Sequence, residues 1–222
     1  MNETVITVEG SFDHHHPAER GTLLVTAGFQ GPERNGVVSR TTALQARIAS
    51  EVQKLHSPTG GPVTWWSSDR LRAWSERPWN TEGRQLPLVH HASIDLEVKF
   101  SDLRRLADWA ESLAGADGVT IGGIRWALTE VTRARLTTDA RHRAVLDAVD
   151  KATAYARSLG LSAVQPVAIA DPGMLGDGSR PTTASAEAMQ MSRKAADAGP
   201  ALDLKPEDIS IGARVHARFT AS

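Results

Sequence analysis

The sequence contains no cysteine among its 222 residues. This absence excludes disulfide bonds, catalysis by a thiolate and zinc sites built on cysteine ligands. The chain also has no excess of charge of one sign, because its net charge is −1 and its arginines are interleaved with acidic residues. A nucleic-acid-binding surface needs a basic stripe or patch, so we predict no nucleic-acid partner.

Long apolar runs are missing as well, and we predict no membrane span. Residues 1–4 lead directly into Val5-Ile6-Thr7-Val8, without the basic region, the longer apolar run and the small-residue cleavage site of a signal peptide. We therefore predict a cytoplasmic protein, with the mature form of a periplasmic or secreted protein as the alternative. The composition, 41% hydrophobic and 23% charged, is typical of a globular chain.

The clearest pattern covers residues 138–171, which predict a helix followed by a strand. At 100° per residue, one group of side chains falls within an arc of about 120°, which indicates a single buried stripe. The members of this stripe are Val145, Ala148, Val149, Ala152, Tyr155, Ala156 and Leu159. Alanine recurs at every fourth position from Ala144 to Ala156, a ridge of small side chains that lets the helix approach its neighbour closely.

Alternating apolar residues predict strands in the rest of the chain, and helical spacing predicts two more helices, in the order β-β-α-β-β-α-β-α-β-β. The alternation changes phase at Gly122-Gly123, which predicts a β-bulge. We predict an α+β fold, an antiparallel or mixed sheet with three main helices packed on one face. Residues 1–222 are predicted to form one domain, with a flexible loop at residues 172–206, which are rich in Gly, Ala, Ser and Asp.

The run DAVDKATAYARSLGL, followed by VQPVAIAD, resembles the last helix and the next strand of SIMPL-domain proteins. The segments TVITVEG, PAERGTLLVTAG, GVTIGGIRWALTE and ISIGARVHARFTA are similar to other strands of the same family. The family includes bacterial periplasmic immunogenic proteins and a eukaryotic kinase-associated protein, and no chemistry is established for it. The resemblance implies an α+β fold and a tendency to form large homo-oligomers.

The run Asp13-His14-His15-His16 is the most conspicuous candidate for a metal site. In an extended backbone His14 and His16 share a side, as two ligands of a divalent metal would, and Asp13 is a possible third ligand. The alternative is a solvated polar loop that ends at Pro17. No second cluster at a recognised ligand spacing accompanies the run.

Catalytic motifs are not evident elsewhere. The neighbours His90 and His91 would face opposite sides of a strand. Asp147 and Asp150 are predicted on the outer side of the last helix, where they form a solvated face instead of an acid–base pair. The sequence has no GxSxG elbow and no GxGxxG phosphate loop, so we predict no catalytic residue and no cofactor.

The tryptophans form the second conspicuous cluster, because four of the six fall within residues 65–79 together with several arginines. Tryptophan and arginine are enriched at the energetic centres of protein interfaces. The residues predicted to form an interface are Trp65, Trp66, Arg70, Arg72, Trp74, Arg77 and Trp79. We expect residues 65–79 to project as a hairpin; the alternative is that two or three of the indoles only cover the edge of the core.

Two functions are compatible with these patterns. The first is a non-enzymatic structural or interaction protein that self-associates through the Trp/Arg segment. The alternative is a small-ligand or metal-binding enzyme whose site is assembled from His14, His16 and residues distant in sequence. The first is favoured, because no convergent catalytic set is visible and no small-molecule ligand can be identified.

Overall fold

The computed structural model describes residues 3–79, 85–176 and 204–222. In these ranges the chain forms eight strands and three helices. The elements are β1 (Thr4–Pro17), β2 (Arg20–Gly31), α1 (Arg34–Leu55), β3 (Val63–Ser68), β4 (Arg72–Glu76), β5 (Val89–Phe100), α2 (Leu103–Ala114), β6 (Val119–Ala127), α3 (Glu130–Ser158), β7 (Val164–Ala170) and β8 (Asp208–Ala221). The predicted α+β class is confirmed.

The chain divides into two compact units, each with its own core. Unit 1 contains the described residues 3–16, 129–176 and 208–222, and unit 2 contains residues 17–79, 85–128 and 204–207. That residues 1–222 form one domain stays a prediction, because two units with separate cores can belong to the same domain. Of the expected loop at residues 172–206, residues 177–203 lie outside the described residues.

Unit 2 is built on an antiparallel sheet in the order β3-β5-β2-β6, with β4 also paired to β5. The apolar residues of β2 and β5 alternate, so one face of the sheet is buried under α1 and α2. Leu23, Val25, Leu96 and Phe100 are almost completely buried in this core. Burying side chains of this size contributes about 1.5–3 kcal/mol each, which makes this core the main source of stability for the unit.

The bulge predicted at Gly122-Gly123 is confirmed. Leu24 pairs with Gly123 and Val25 with Ile121, so Gly122 is the additional residue in β6. Gly123 has a φ of +123°, a backbone conformation that side chains with a Cβ rarely adopt. The glycine pair therefore lets both halves of β6 direct apolar residues to the same core.

Unit 1 is built on a three-stranded sheet in the order β1-β8-β7, against which α3 packs. The predicted alanine ridge is confirmed, because Ala144, Ala148, Ala152 and Ala156 are all buried against this sheet. A Cβ added at Gly10 of β1 would lie 2.0 Å from the carbonyl oxygen of Ala144. Small side chains on both sides therefore allow the helix and the strand to approach each other closely.

The buried stripe of α3 is narrower than the sequence pattern predicts. Val149, Tyr155 and Leu159 are exposed to 39%, 55% and 63%, and their predicted burial is wrong. Tyr155 is offset by about 100° from Ala156 and by about 60° from Ala152 around the helix, so it lies beside the ridge. Because alanine brings the helix so close to the sheet, the contact is limited to the ridge and the larger flanking side chains stay outside it.

The helices are distributed differently from the single layer that the sequence suggests. The first two helices cover the sheet of unit 2, whereas α3 covers the sheet of unit 1. Strand alternation shows that one face of each strand is buried, but it carries no information about which strands share a sheet. The described part of the chain also has one strand more than predicted, because residues 63–76 contain both β3 and β4.

Replacing Ala152 with Leu is expected to destabilise the protein. Ala152 is completely buried in the middle of the ridge, and overpacking such a contact costs about 1–3 kcal/mol. The melting temperature should fall by about 2–4 °C for each kcal/mol lost. Ala154→Leu, on the exposed side of the same helix, is the matched control and should change little. Equal effects in thermal unfolding would contradict the assigned buried face.

Candidate interaction surface

The predicted Trp/Arg segment lies along one edge of the sheet of unit 2. Strand β3 pairs with residues 96–100 of β5, and β4 pairs with residues 89–93 of the same strand. Between them the amide of Asp69 donates to the carbonyl of Asp95 at 2.8 Å. The expected projecting hairpin is therefore wrong: β5 has twelve residues, long enough to pair with both short strands end to end.

The pairing decides which tryptophans face solvent. Trp65 lies opposite Lys99, and Trp74 opposite His91, both on the face that points away from the helices. Trp65 is 47% exposed, Trp74 45% and Trp79, just beyond β4, 85%. In contrast Trp66 lies opposite Val98 on the buried face and packs against the core.

Most of the predicted interface residues are thus at the surface. Arg70, Arg72 and Arg77 are exposed together with the three outward tryptophans. The alternative, that two or three indoles only cover the edge of the core, applies to Trp66 alone among the four tryptophans of the segment. We call the exposed set the Trp/Arg edge: Trp65, Arg70, Arg72, Trp74, Arg77 and Trp79.

Trp74 is held in a defined orientation. Its indole stacks on the imidazole of His91, with the ring centroids 5.1 Å apart and the planes inclined by 8°. The Nε2 atom of His91 is buried without a hydrogen bond and lies 3.3 Å from a carboxylate oxygen of Glu76. Because one face of the indole is covered by His91, the exposed area of Trp74 lies on its other face and its rim.

The charged residues beside Trp74 are also ordered. Arg72 donates to Asp95 Oδ2 at 2.5 Å, and Thr26 Oγ1 donates to the other oxygen of that carboxylate at 2.6 Å. Further along the same face Arg125 pairs with Glu97. Exposed ion pairs of this kind add little stability, about 0–1 kcal/mol each. Their effect is to fix the guanidinium and carboxylate groups in place around the exposed indole.

The histidine run differs from its prediction in one respect. His14 and His16 belong to β1 instead of a loop, because β1 extends to Pro17. They do share a side, as predicted for extended backbone, and their ring centroids are 6.2 Å apart. Within residues 3–79, 85–176 and 204–222, no group of three His, Asp or Glu residues is placed to hold a metal ion. The described part of the chain therefore offers His14 and His16 no third ligand.

His90 and His91 face opposite sides of β5, as their adjacent positions predict. The ring of His90 is hydrogen-bonded through Nδ1 to Ser75 Oγ at 2.6 Å, whereas His91 stacks on Trp74. Each imidazole has a partner on the neighbouring strand β4. The two rings thus help to attach β4 to the sheet and do not form a joint site.

Unit 1 contains a histidine–carboxylate pair that the sequence analysis did not predict. His216 Nε2 lies 3.3 Å from Glu9 Oε2, and the amide of Gly173 donates to His216 Nδ1 at 3.4 Å. These residues line a cleft of about 220 Å³ together with Thr7 and Leu175. The partners are separated by most of the chain, so no local motif could have revealed them. The only sequence signal is that His216 lies on the outward side of the alternating strand β8.

Asp147, predicted on the outer side of α3, has a structural role. Its carboxylate accepts a hydrogen bond from the amide of Ser11 at 2.8 Å and one from Lys151 Nζ at 2.7 Å. The bond from Lys151, and then the bond from Ser11, lower the pKa of Asp147 below its ordinary value. Asp150 is exposed, as predicted. The two carboxylates therefore form no acid–base pair, and Asp147 attaches α3 to β1.

A comparison with protein-family models matches residues 6–219 to SIMPL, described as a protein of unknown function (DUF541). The match includes residues of both units and overlaps every segment whose pattern resembles that family. A comparison with curated proteins gives no significant match. None of the described helices combines the length and the apolar character needed to cross a membrane.

Asp147→Asn is expected to lower the stability at neutral pH by roughly 1 kcal/mol or less, because the carboxylate is partly exposed. A carboxylate with a lowered pKa stabilises the fold above its unfolded-state pKa, near 3.8, and this contribution is lost as the pH falls through the folded-state value. The difference from the wild type should therefore shrink below about pH 4.

Chemical denaturation of both proteins across the acidic range measures this difference. Asp150→Asn, on the exposed side of α3, is the control and should leave the stability unchanged. A difference between wild type and Asp147→Asn that does not depend on pH would contradict a role for the charged form of the carboxylate.

Proposed function

We propose, starting from the finding that this chain belongs to the SIMPL family, that it is a non-enzymatic interaction protein that associates with further copies of itself. The association surface is the Trp/Arg edge of unit 2. The observation that carries the proposal is the exposure of Trp65, Trp74 and Trp79 on one short segment at the edge of a sheet.

Leaving these indoles in contact with water is unfavourable in free energy for an isolated subunit. Tryptophan is the largest apolar side chain, and burying one at the centre of an interface contributes about 2 kcal/mol or more. Arginine is the other residue type typical of such centres, and Arg70, Arg72 and Arg77 are interspersed among the three indoles. The composition and the exposure of the edge both favour a partner that covers it.

The backbone of the edge points to the same conclusion. Strands β3 and β4 pair with β5 on one side. On the other side β3 is bridged to His56 at Val63, whose carbonyl accepts from the amide of Ser57, whereas no strand pairs with the other side of β4 within the described residues. An open edge presents unpaired amide and carbonyl groups, to which another strand can add. Such edges are ordinarily protected, so an open edge that also carries exposed tryptophans is suited to association.

The described residues support an enzymatic function less well. Beside Trp74 the carboxylate of Asp95 accepts hydrogen bonds from Arg72 and Thr26 and is therefore engaged in an ion pair. The His14–His16 pair has no third ligand among the described residues. Among the described residues that line the cleft of His216 and Glu9, Thr7 alone has a hydroxyl.

The test is the molar mass of the protein in solution, measured by light scattering and sedimentation over a range of micromolar concentrations. We expect the wild type to form a species larger than one subunit. Trp74→Ala should shift it towards smaller species, because losing about 2 kcal/mol weakens each contact about thirtyfold. Far-UV circular dichroism should remain nearly unchanged.

The matched control is Tyr155→Ala. Tyr155 is an aromatic residue of similar exposure, 55%, on α3 of unit 1, and is not one of the residues of the Trp/Arg edge. Its replacement should leave the molar mass as in the wild type. A wild-type protein that stays a strict monomer would refute the proposal. So would a Trp74→Ala protein that loses stability while keeping the wild-type mass.

A further inference from the structure

We infer that β4 pairs with the β4 of a second copy of this chain, antiparallel and centred on Trp74, so that two sheets join across a two-fold axis. The inference rests on the proposed self-association and adds the strand, the register and the charged contacts. The strand has five residues, Arg72-Ala73-Trp74-Ser75-Glu76. The order of these five residues along the strand determines which side chains would meet across the two-fold axis.

The side chains of β4 alternate between the two faces of the sheet. Arg72 lies opposite Ser93 and Trp74 opposite His91, which places Arg72, Trp74 and Glu76 together on the face away from the helices. All three of these side chains are exposed. An apolar ring is thus flanked by a cation on one side and an anion on the other, at equal distances along the strand.

An antiparallel partner reverses this order. When the two-fold axis passes through Trp74, Arg72 lies opposite Glu76 of the partner subunit, and Glu76 lies opposite the partner's Arg72. The two Trp74 side chains become neighbours at the axis. Opposite charges across strands and paired aromatic rings each stabilise a sheet by about 0.2–1 kcal/mol, and the symmetry repeats the charged contact.

Other registers fit less well. The pleat requires directly opposed residues of an antiparallel pair to lie on the same face, so the axis must pass through a residue and not between two. When the axis passes through Ala73 or Ser75, two of the five residues of β4 lie opposite residues outside the partner's β4. With the axis at Ser75, Arg72 lies opposite the partner's Pro78, and Trp74 lies opposite the partner's Glu76. Only the axis through Trp74 pairs all five residues of β4 with residues of β4.

The side chains are already arranged for such a contact. Trp74 is stacked on His91, and the guanidinium of Arg72 is held by Asp95. Because a guanidinium has five N–H donors, Arg72 can keep its bond to Asp95 while it also binds Glu76 of the partner subunit. Ordered side chains lose less conformational entropy on association, so more of the contact energy is available for binding.

Charge reversal tests this register. Arg72→Glu alone places Glu opposite Glu at both contacts, and Glu76→Arg alone places Arg opposite Arg. Like charges in direct opposition oppose pairing, so each single variant should associate at least about tenfold more weakly than the wild type. An equimolar mixture of the two variants restores opposite charges at both contacts. We expect the mixture to form mixed dimers, which native mass spectrometry distinguishes from the homodimers by mass.

Two further variants complete the experiment. The double variant Arg72→Glu/Glu76→Arg restores opposite charges within one chain and should associate like the wild type. Arg125→Glu reverses a charge on the same face of the sheet, on β6, and should leave association unchanged. Far-UV circular dichroism and thermal unfolding establish that each variant folds. If Arg72→Glu fails to fold because it approaches Asp95, the Glu76→Arg variant and the neutral variant Arg72→Gln provide the test, since Gln also removes the attraction to Glu76 of the partner subunit.

The outcomes separate the inference from the proposed function. A wild type that associates, with single variants that associate equally well or a mixture that yields no mixed dimers, overturns the register while self-association stands. A wild type that remains monomeric overturns both. Loss of association in the single variants together with recovery in the mixture supports the register, because a merely structural effect of either substitution would persist in the mixture.

Discussion

The pairing of β5 with β2 is the interaction on which the surface of unit 2 depends. The two strands pair continuously over eleven residues from Gly21 to Gly31, and their buried apolar side chains point to the helices, whereas Leu24 lies on the outward face opposite Glu97. This register fixes one face of β5 as core and the other as surface. It also leaves the second edge of β5 open along its whole length, and β3 and β4 fill that edge in succession. The tryptophans on these strands are therefore at a sheet edge, and those on the outward face cannot enter the core.

Much of the fold could be predicted because it depends on local periodicity. The alternation along β2 and β5, the bulge at Gly122 and the alanine ridge of α3 were all visible in the sequence, since each is a regular spacing of side-chain types. The division into two sheets was not visible, because alternation does not specify strand partners. The burial of Tyr155 was wrongly predicted, since hydrophobicity alone does not account for how closely alanines bring a helix to a sheet.

The residue types of the candidate surface could be predicted from the sequence, but the arrangement of its strands could not. The clustering of tryptophan and arginine indicated an interface, but the arrangement of β3 and β4 along one strand depends on the length of β5, which lies further along the chain. The separation of Trp66 from its neighbour Trp65 follows from the same pairing, because adjacent residues of a strand face opposite sides. The pair formed by His216 and Glu9 could not be anticipated at all, since it joins β8 to β1 across most of the sequence.

The self-association that we propose uses the open edge of β4, so the backbone amides of β4 report on it most directly. Amide hydrogen exchange of residues 72–76, followed at low and high protein concentration, measures whether the outward-pointing amides become protected as the protein associates. We predict that their exchange slows with concentration, while the exchange of α3 stays the same. Exchange in β4 that is independent of concentration, in a sample whose molar mass increases, would show that the subunits meet elsewhere and would contradict the account.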